Sequence, residues 1–204
     1  EAENFGPNYT DGYWGDRQYD VVNSRCITIW GADPLAANRQ VSYYSSAWSD
    51  AIDRAHIAVV EPRLSATAAK ADEWLPLKPG TDGALAVAFA HVLLTEGLWY
   101  KDFVGDFIDG ENRFVAGQNV DAEMFEEIHT HGIVAWWNLE LKDKTPEWAA
   151  KITGRPAEQI REHAGEMGRA APHSISWLGG GPCMQVRGGY AAMAVHALNG
   201  IVGG

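Results

Sequence analysis

Residues 84–94, ALAVAFAHVLL, carry one polar side chain, His91, in eleven positions. A helix lying on a surface keeps a polar face, so a stretch without one has to be covered on most sides. Good helix formers dominate it, and Pro79, Gly80, Thr81 and Asp82 immediately before it form a corner in which Thr81 or Asp82 can cap the first free amides. The chain must therefore build layers around a helix running from this corner to about Glu96. With 204 residues, 46% of them hydrophobic, it has the material for one such core, and residues 1–204 are expected to form a single domain.

What surrounds the helix follows from alternation. Residues 24–31 (SRCITIWG), 56–62 (HIAVVEP) and 72–77 (DEWLPL) read as strands, separated by a helix over 36–55 and a short one over 64–71. This βαβ order predicts a doubly wound α/β fold, a mainly parallel, Rossmann-like sheet with helices on both faces. The second half reads as helix-rich, with helices over 101–107, 121–131, 145–153 and 155–170, a long surface loop over 109–119, a strand at HSISWLGGG, a Gly-Pro loop and a final helix over 185–200.

Charge and cysteine content exclude several classes. Twenty-seven acidic against 16 basic residues leave a formal charge of −11, unlike a nucleic-acid surface, which needs clustered Lys and Arg. Cys26 and Cys183 cannot alone build a zinc or iron–sulfur site, although one disulfide is open to them. No apolar run is long enough to cross a bilayer. The first residue, Glu1, and the ending HALNGIVGG suggest a piece of a longer protein.

Ligands of open α/β sheets bind outside the carboxyl ends of the strands. Four stretches fall on that edge: WGADP (30–34), EPR (61–63), PGTD (79–82) and GGGPCMQ (179–185). Gly31 and the helix after it could offer amides to phosphate, and Glu61 could accept from ribose hydroxyls. Asp82 could accept from N1 and N2 of guanine. Each also has a plain structural reading: Gly31 and Asp33-Pro34 as turn and cap, Arg63 as a surface ion-pair partner, Asp82 as a helix cap. Glu126, His129 and His131 read as a surface cluster, and His173, His196, Trp177 and Tyr190 as packing or loop residues.

The stretch VVEPRLSATAAKADEWLPLKPGTDGALAVAFAHVLLTEGLWYKDFV, with WGADP and LNGIVGG at its flanks, resembles the molybdopterin oxidoreductases of the dimethyl sulfoxide reductase family. AWWNLELKDKTPEWAAKITG is similar to the thiosulfate, polysulfide and arsenate reductase branch. The resemblance implies the third domain of such an enzyme, holding a guanosine diphosphate arm of bis(molybdopterin guanine dinucleotide) with molybdenum or tungsten. It places Trp30, Gly31 and Asp33 at the diphosphate, Glu61, Pro62 and Arg63 at the ribose edge, Gly80, Thr81 and Asp82 at the guanine, and Gly180, Gly181 and Gln185 on the same edge.

Position 33 is Asp where the family often has Asn, and position 61 is Glu where it usually has Asp. Asp33 would repel a diphosphate unless it turned back to cap its own helix. The resemblance implies no catalytic residue and no metal ligand within the chain, which is expected to be inactive alone and free of the cofactor. Its implied partners are the remaining domains of the catalytic subunit and an iron–sulfur electron-transfer subunit, without nucleic acid or direct membrane insertion. The alternative is a stand-alone guanine-nucleotide-binding module without redox activity, and a third class is a cofactor-free interaction domain.

Overall fold

Strands β1 (Cys26–Trp30), β2 (His56–Val60), β3 (Glu73–Leu75) and β6 (Ser174–Leu178) form one sheet in the order β3-β2-β1-β6, all parallel, in a computed structural model that describes residues 2–204. The register is tight: Cys26 lies beside both His56 and Ser174, and Trp30 beside both Val60 and Leu178. Every residue of β1 and β6 is buried, as expected of strands covered on both faces.

Side-chain alternation divides the core between those faces. Ile27, Ile29, Ile57 and Val59 pack with Tyr44 and Trp48 of α2 (Val41–Ala51) on one side. Cys26, Trp30, Ala58 and Val60 face α3 (Asp82–Thr95), α7 (Ala157–Arg169) and α9 (Gly188–Val202) on the other. Helix α3 is buried along nearly its whole length, as its composition requires, and Phe89 meets the Trp30 ring edge-on at 5.7 Å. The outer edge of β6 is closed by a side chain: Asn199 of α9 accepts from the Ser176 amide at 2.7 Å and donates to the Ser176 carbonyl at 3.0 Å.

The middle of the chain departs from its sequence reading. The helix expected over 101–107 stops after one turn, α4 (Lys101–Val104), because Gly105 turns out at φ 107° and begins β4 (Gly105–Phe107). A side chain at Gly105 would run into the Glu126 carbonyl. The helix expected over 121–131 is a 3-10 turn at 122–124 followed by β5 (Phe125–Glu127), antiparallel to β4. Tertiary packing overrides local propensity here: Phe107, Phe114 and Phe125 interlock with Trp99, whose Nε1 donates to the Gly105 carbonyl.

The other differences are smaller. Residues 64–71 hold only a 3-10 turn, 68–70, and α2 is shorter than 36–55. The 179–185 loop contains one helical turn, α8 (Gly180–Cys183), and α9 starts at 188 rather than 185. Helix α6 (Pro146–Thr153) follows its reading, capped by Thr145, which accepts from the Trp148 amide. Two helices were not anticipated, α1 (Ala2–Asp11) and α5 (Ile133–Leu139). Helix α1 lies against α9 so closely that a Cβ at Gly6 would sit 2.5 Å from that of Ala192. Cys26 and Cys183 are both free and buried, so no disulfide joins them, and burial pushes each thiol up to about 12.

Candidate functional site

Because the four strands run in one direction and in register, the segments after them share one edge. Gly31 follows β1, Glu61 follows β2, the Pro79–Asp82 corner follows β3 and Gly179–Gly181 follow β6. The structure thus brings all four sequence stretches together, but it assigns their groups different tasks from several of those expected.

The backbone at the β1 end is internally paired. The Trp30 ring is fully buried under α3, so it cannot reach a ligand on the edge. Gly31 has φ 57°, its amide donates to the Val60 carbonyl, and its carbonyl accepts from the Gly181 amide. A Cβ there would lie 2.6 Å from Gly181 Cα and 2.7 Å from Pro182 Cδ, so glycine is required for the β1 and β6 loops to touch. The Gly31 amide, read from sequence as a phosphate donor, is therefore already engaged, and so is that of Gly181.

Asp33 does not cap its own turn either. Its Oδ1 accepts from the Thr67 hydroxyl at 2.6 Å and the Thr67 amide at 3.1 Å, tying the β1 loop to the turn after β2. Glu61 is buried, and its Oε1 accepts from the Ser65 amide at 3.1 Å, while its carbonyl accepts from Trp74 Nε1. Arg63, after Pro62, is exposed with its guanidinium 3.9 Å from Asp33, matching the plain ion-pair reading.

The corner is different. Gly80 takes φ 85°, and Thr81 bonds back through its amide and hydroxyl to the Lys78 carbonyl, so the chain turns sharply into α3. Thr81 holds the cap position without a side-chain cap, and Asp82 is the first residue of the helix, buried at 8% exposure. Its carboxylate accepts a 3.2 Å hydrogen bond from Gln185 Nε2, which also donates to the Pro182 carbonyl at 3.0 Å. Burial raises the Asp82 carboxyl above the ordinary Asp value, outweighing the lowering from its own amide and from Gln185.

Gly80 and Gln185 open onto a cleft of about 1500 Å³ that runs between α9 and the α5 region. Arg187, Tyr190 and Trp136 line it, together with His129 and His131. Arg187 was not read from sequence. It stands at φ 64°, a left-handed position uncommon outside glycine, and a single sequence carries no sign of that. His129 and His131 are exposed, as their surface reading required, but the carboxylate that works beside them is Glu127 rather than Glu126: its Oε1 caps the Gly132 and Ile133 amides of α5. His196 Nε2 donates to the Asp11 carboxylate, and Trp177 packs against Tyr19 and Tyr44.

A family model described as molybdopterin oxidoreductase matches residues 3–203. The chain belongs to the molybdopterin oxidoreductase family. Among its relatives in that family, the arsenate respiratory reductase molybdopterin-containing subunit ArrA of Shewanella sp. (strain ANA-3) is 55% identical over 204 residues, covering 100% of this chain and 24% of the relative. Dimethyl sulfoxide reductase DmsA of Escherichia coli (strain K12) is 32% identical over 199 residues, covering 95% of this chain and 24% of that protein. Acetylene hydratase from Pelobacter acetylenicus shares the fold with a TM-score of 0.75 at 23% identity, over 98% of this chain and 24% of the hydratase. The chain thus spans about a quarter of the length of the curated relatives it matches. Among the described residues no helix is long and apolar enough to cross a membrane.

Proposed function

We propose that residues 1–204 act as one cofactor-binding unit within the catalytic subunit of a molybdopterin-dependent reductase of the arsenate-respiratory type. In this reading the unit orients one guanosine diphosphate arm of bis(molybdopterin guanine dinucleotide). The observation that carries the reading is Asp82: a buried carboxylate at the carboxyl edge of a parallel sheet, accepting from one side-chain donor, with acceptor capacity left over.

The residues fit the group at its guanine end. Guanine presents N1–H and N2–H side by side, a pair of donors matched to a carboxylate, whereas adenine has no such pair. Gly80, without a side chain, leaves room beside Gln185, where a Cβ would meet Oε1 at 2.8 Å. At the diphosphate end the fit has to be carried by groups other than Trp30, Gly31 and Gly181. Arg187 is exposed at the start of α9 and shares the cleft with Gly80 and Gln185, so it would supply the positive charge. When bound, the cofactor supplies two-electron exchange at its metal; the chain's own residues bind, orient and exclude water.

Arsenate is the substrate class this reading favours, on the relationship to ArrA, and the iron–sulfur partner follows with it. Exposed Met184, Val186 and Tyr190 beside the corner support burial against further domains of a longer subunit. Isothermal titration of the 204-residue chain with GDP and ADP tests the site. GDP is expected to bind more tightly, and Asp82→Ala to erase most of that preference without changing the fold, since Gln185 keeps its bond to Pro182. An unchanged GDP-to-ADP ratio would remove the guanine from this corner.

A further inference from the structure

On the α7 face of the sheet, away from the carboxyl edge, three side chains from distant parts of the sequence converge. His56 begins β2, Glu73 begins β3, and His163 lies in α7. His163 Nδ1 is 3.1 Å from Glu73 Oε2, and His56 Nε2 is 3.5 Å from the same oxygen. All three ligand atoms fall within 4.8 Å of one another. Four-coordinate zinc with bonds of about 2.0–2.1 Å sets its ligand atoms roughly 3.3 Å apart, so the two short separations already match the edges of such a tetrahedron.

Two further observations point into the space between them. The His163 side chain is fully buried, and its Nδ1 lies against the carboxylate without the direction of a hydrogen bond, which leaves it a buried polar atom with no hydrogen-bond partner. The other ring nitrogen, Nε2, is fixed 2.8 Å from the Thr28 hydroxyl. When Nε2–H donates to Thr28, the Nδ1 lone pair faces the cluster; a hydrogen bond on the far side of the ring sets the tautomer of a ligating histidine in this way. Gln159 plays the same part for Glu73: its Nε2 donates to Oε1 at 2.8 Å, leaving Oε2 for the cluster. His56 is partly exposed and gives the site a route to solvent.

We propose that His56, Glu73 and His163 form a binding site for a divalent transition-metal ion of the zinc class, with water completing the coordination. Two imidazoles and one carboxylate suit zinc. The site ties β2, β3 and α7 together beneath the sheet and is separate from the cofactor edge, so it does not depend on the guanine assignment.

Titration of the chelator-treated 204-residue chain with Zn²⁺ alone, and with Co²⁺ as a coloured substitute, tests it. One equivalent is expected to bind, with the intense visible band of tetrahedral Co²⁺. His56→Ala, at a partly exposed position that the fold tolerates, should weaken binding at least tenfold and abolish the band. Gln159→Ala, which touches no metal, should weaken it by about 10–100-fold. His129→Ala with His131→Ala should change nothing. No saturable Zn²⁺ binding by the folded chain, or equal affinity in His56→Ala, would overturn the site and leave a buried His–Glu–His ion pair. In the intact catalytic subunit, zinc content should be near one equivalent and fall with His56→Ala; a content that this substitution leaves unchanged would overturn the site there as well.

Discussion

Asp82, buried, and Glu73, partly buried, are carboxylates on the same side of one sheet, yet they are held in opposite states. Asp82 receives a single side-chain donor, and burial leaves its carboxyl above the ordinary Asp value. Glu73 is also opposed by burial, but His163, His56 and Gln159 converge on it and hold its carboxyl well below the usual range. Burial alone therefore does not decide how a carboxylate behaves; the polar groups gathered around it do. The under-supplied group lies between Gly80 and Gly83, which line the cleft, and behind Gln185, where a ligand can bring donors. Glu73 sits where the protein gathers its own polar groups.

The sharpest way to break this comparison is a carboxylate with no donors. Ala88→Asp puts one in the fully buried centre of α3, and a loss of about 3–5 kcal/mol in denaturant unfolding is expected. A variant that melts within a few degrees of the parent would mean that α3 is not covered as described. Removing charge from the well-supplied carboxylate comes next. With chelator present, Glu73→Gln should cost about 1–3 kcal/mol, because the His163 ring stays buried beside a weaker partner. It should leave GDP affinity untouched, and a change there would couple two regions argued to be independent.

The smallest effect is expected at Asp82. A carboxyl whose folded value is raised stabilises below its ordinary value and loses that contribution as pH rises through the folded one. Asp82→Asn should therefore leave neutral-pH stability unchanged or raise it by less than about 1 kcal/mol, the difference fading in acid. Ligand binding has the opposite dependence, since only the ionised group accepts from both guanine donors. GDP affinity should fall as pH drops through the Asp82 value, above the ordinary Asp range, while ADP affinity stays level. A GDP profile as flat as that of ADP would separate base recognition from this carboxylate.

The sequence was legible where burial is uniform along a segment. Ile27 to Trp30, His56 to Val60 and the unbroken apolar face of 84–94 announce strands and a helix enclosed on all sides, and each lies where the pattern put it. The β4–β5 pair was not legible, because three-residue strands have no period to read and are held by Trp99, Phe107, Phe114 and Phe125, which are far apart in sequence. Helix α1 was hidden by Gly6 and Pro7, poor helix formers whose helix is fixed by contact with α9.

The candidate site divides in the same way. The turn residues Pro79 and Gly80 mark the corner locally, so Asp82 could be singled out from the sequence. The Gly31 and Gly181 amides are engaged only because two loops from opposite ends of the chain meet, which no local pattern reports. His56, Glu73 and His163 share no motif spacing; only the parallel register and the placement of α7 beneath β1 make them neighbours.

The amide of Asn199 imitates the peptide group of a neighbouring strand, giving Ser176 both the donor and the acceptor that a fifth strand would have offered. The sheet is thereby sealed on that flank. A segment arriving from elsewhere in a longer subunit, or from a second copy of the chain, finds the middle of β6 already paired and would have to evict α9 to extend the sheet there. Growth of the architecture is steered to loops and helix faces, and an edge that could seed strand-to-strand aggregation is withdrawn from use.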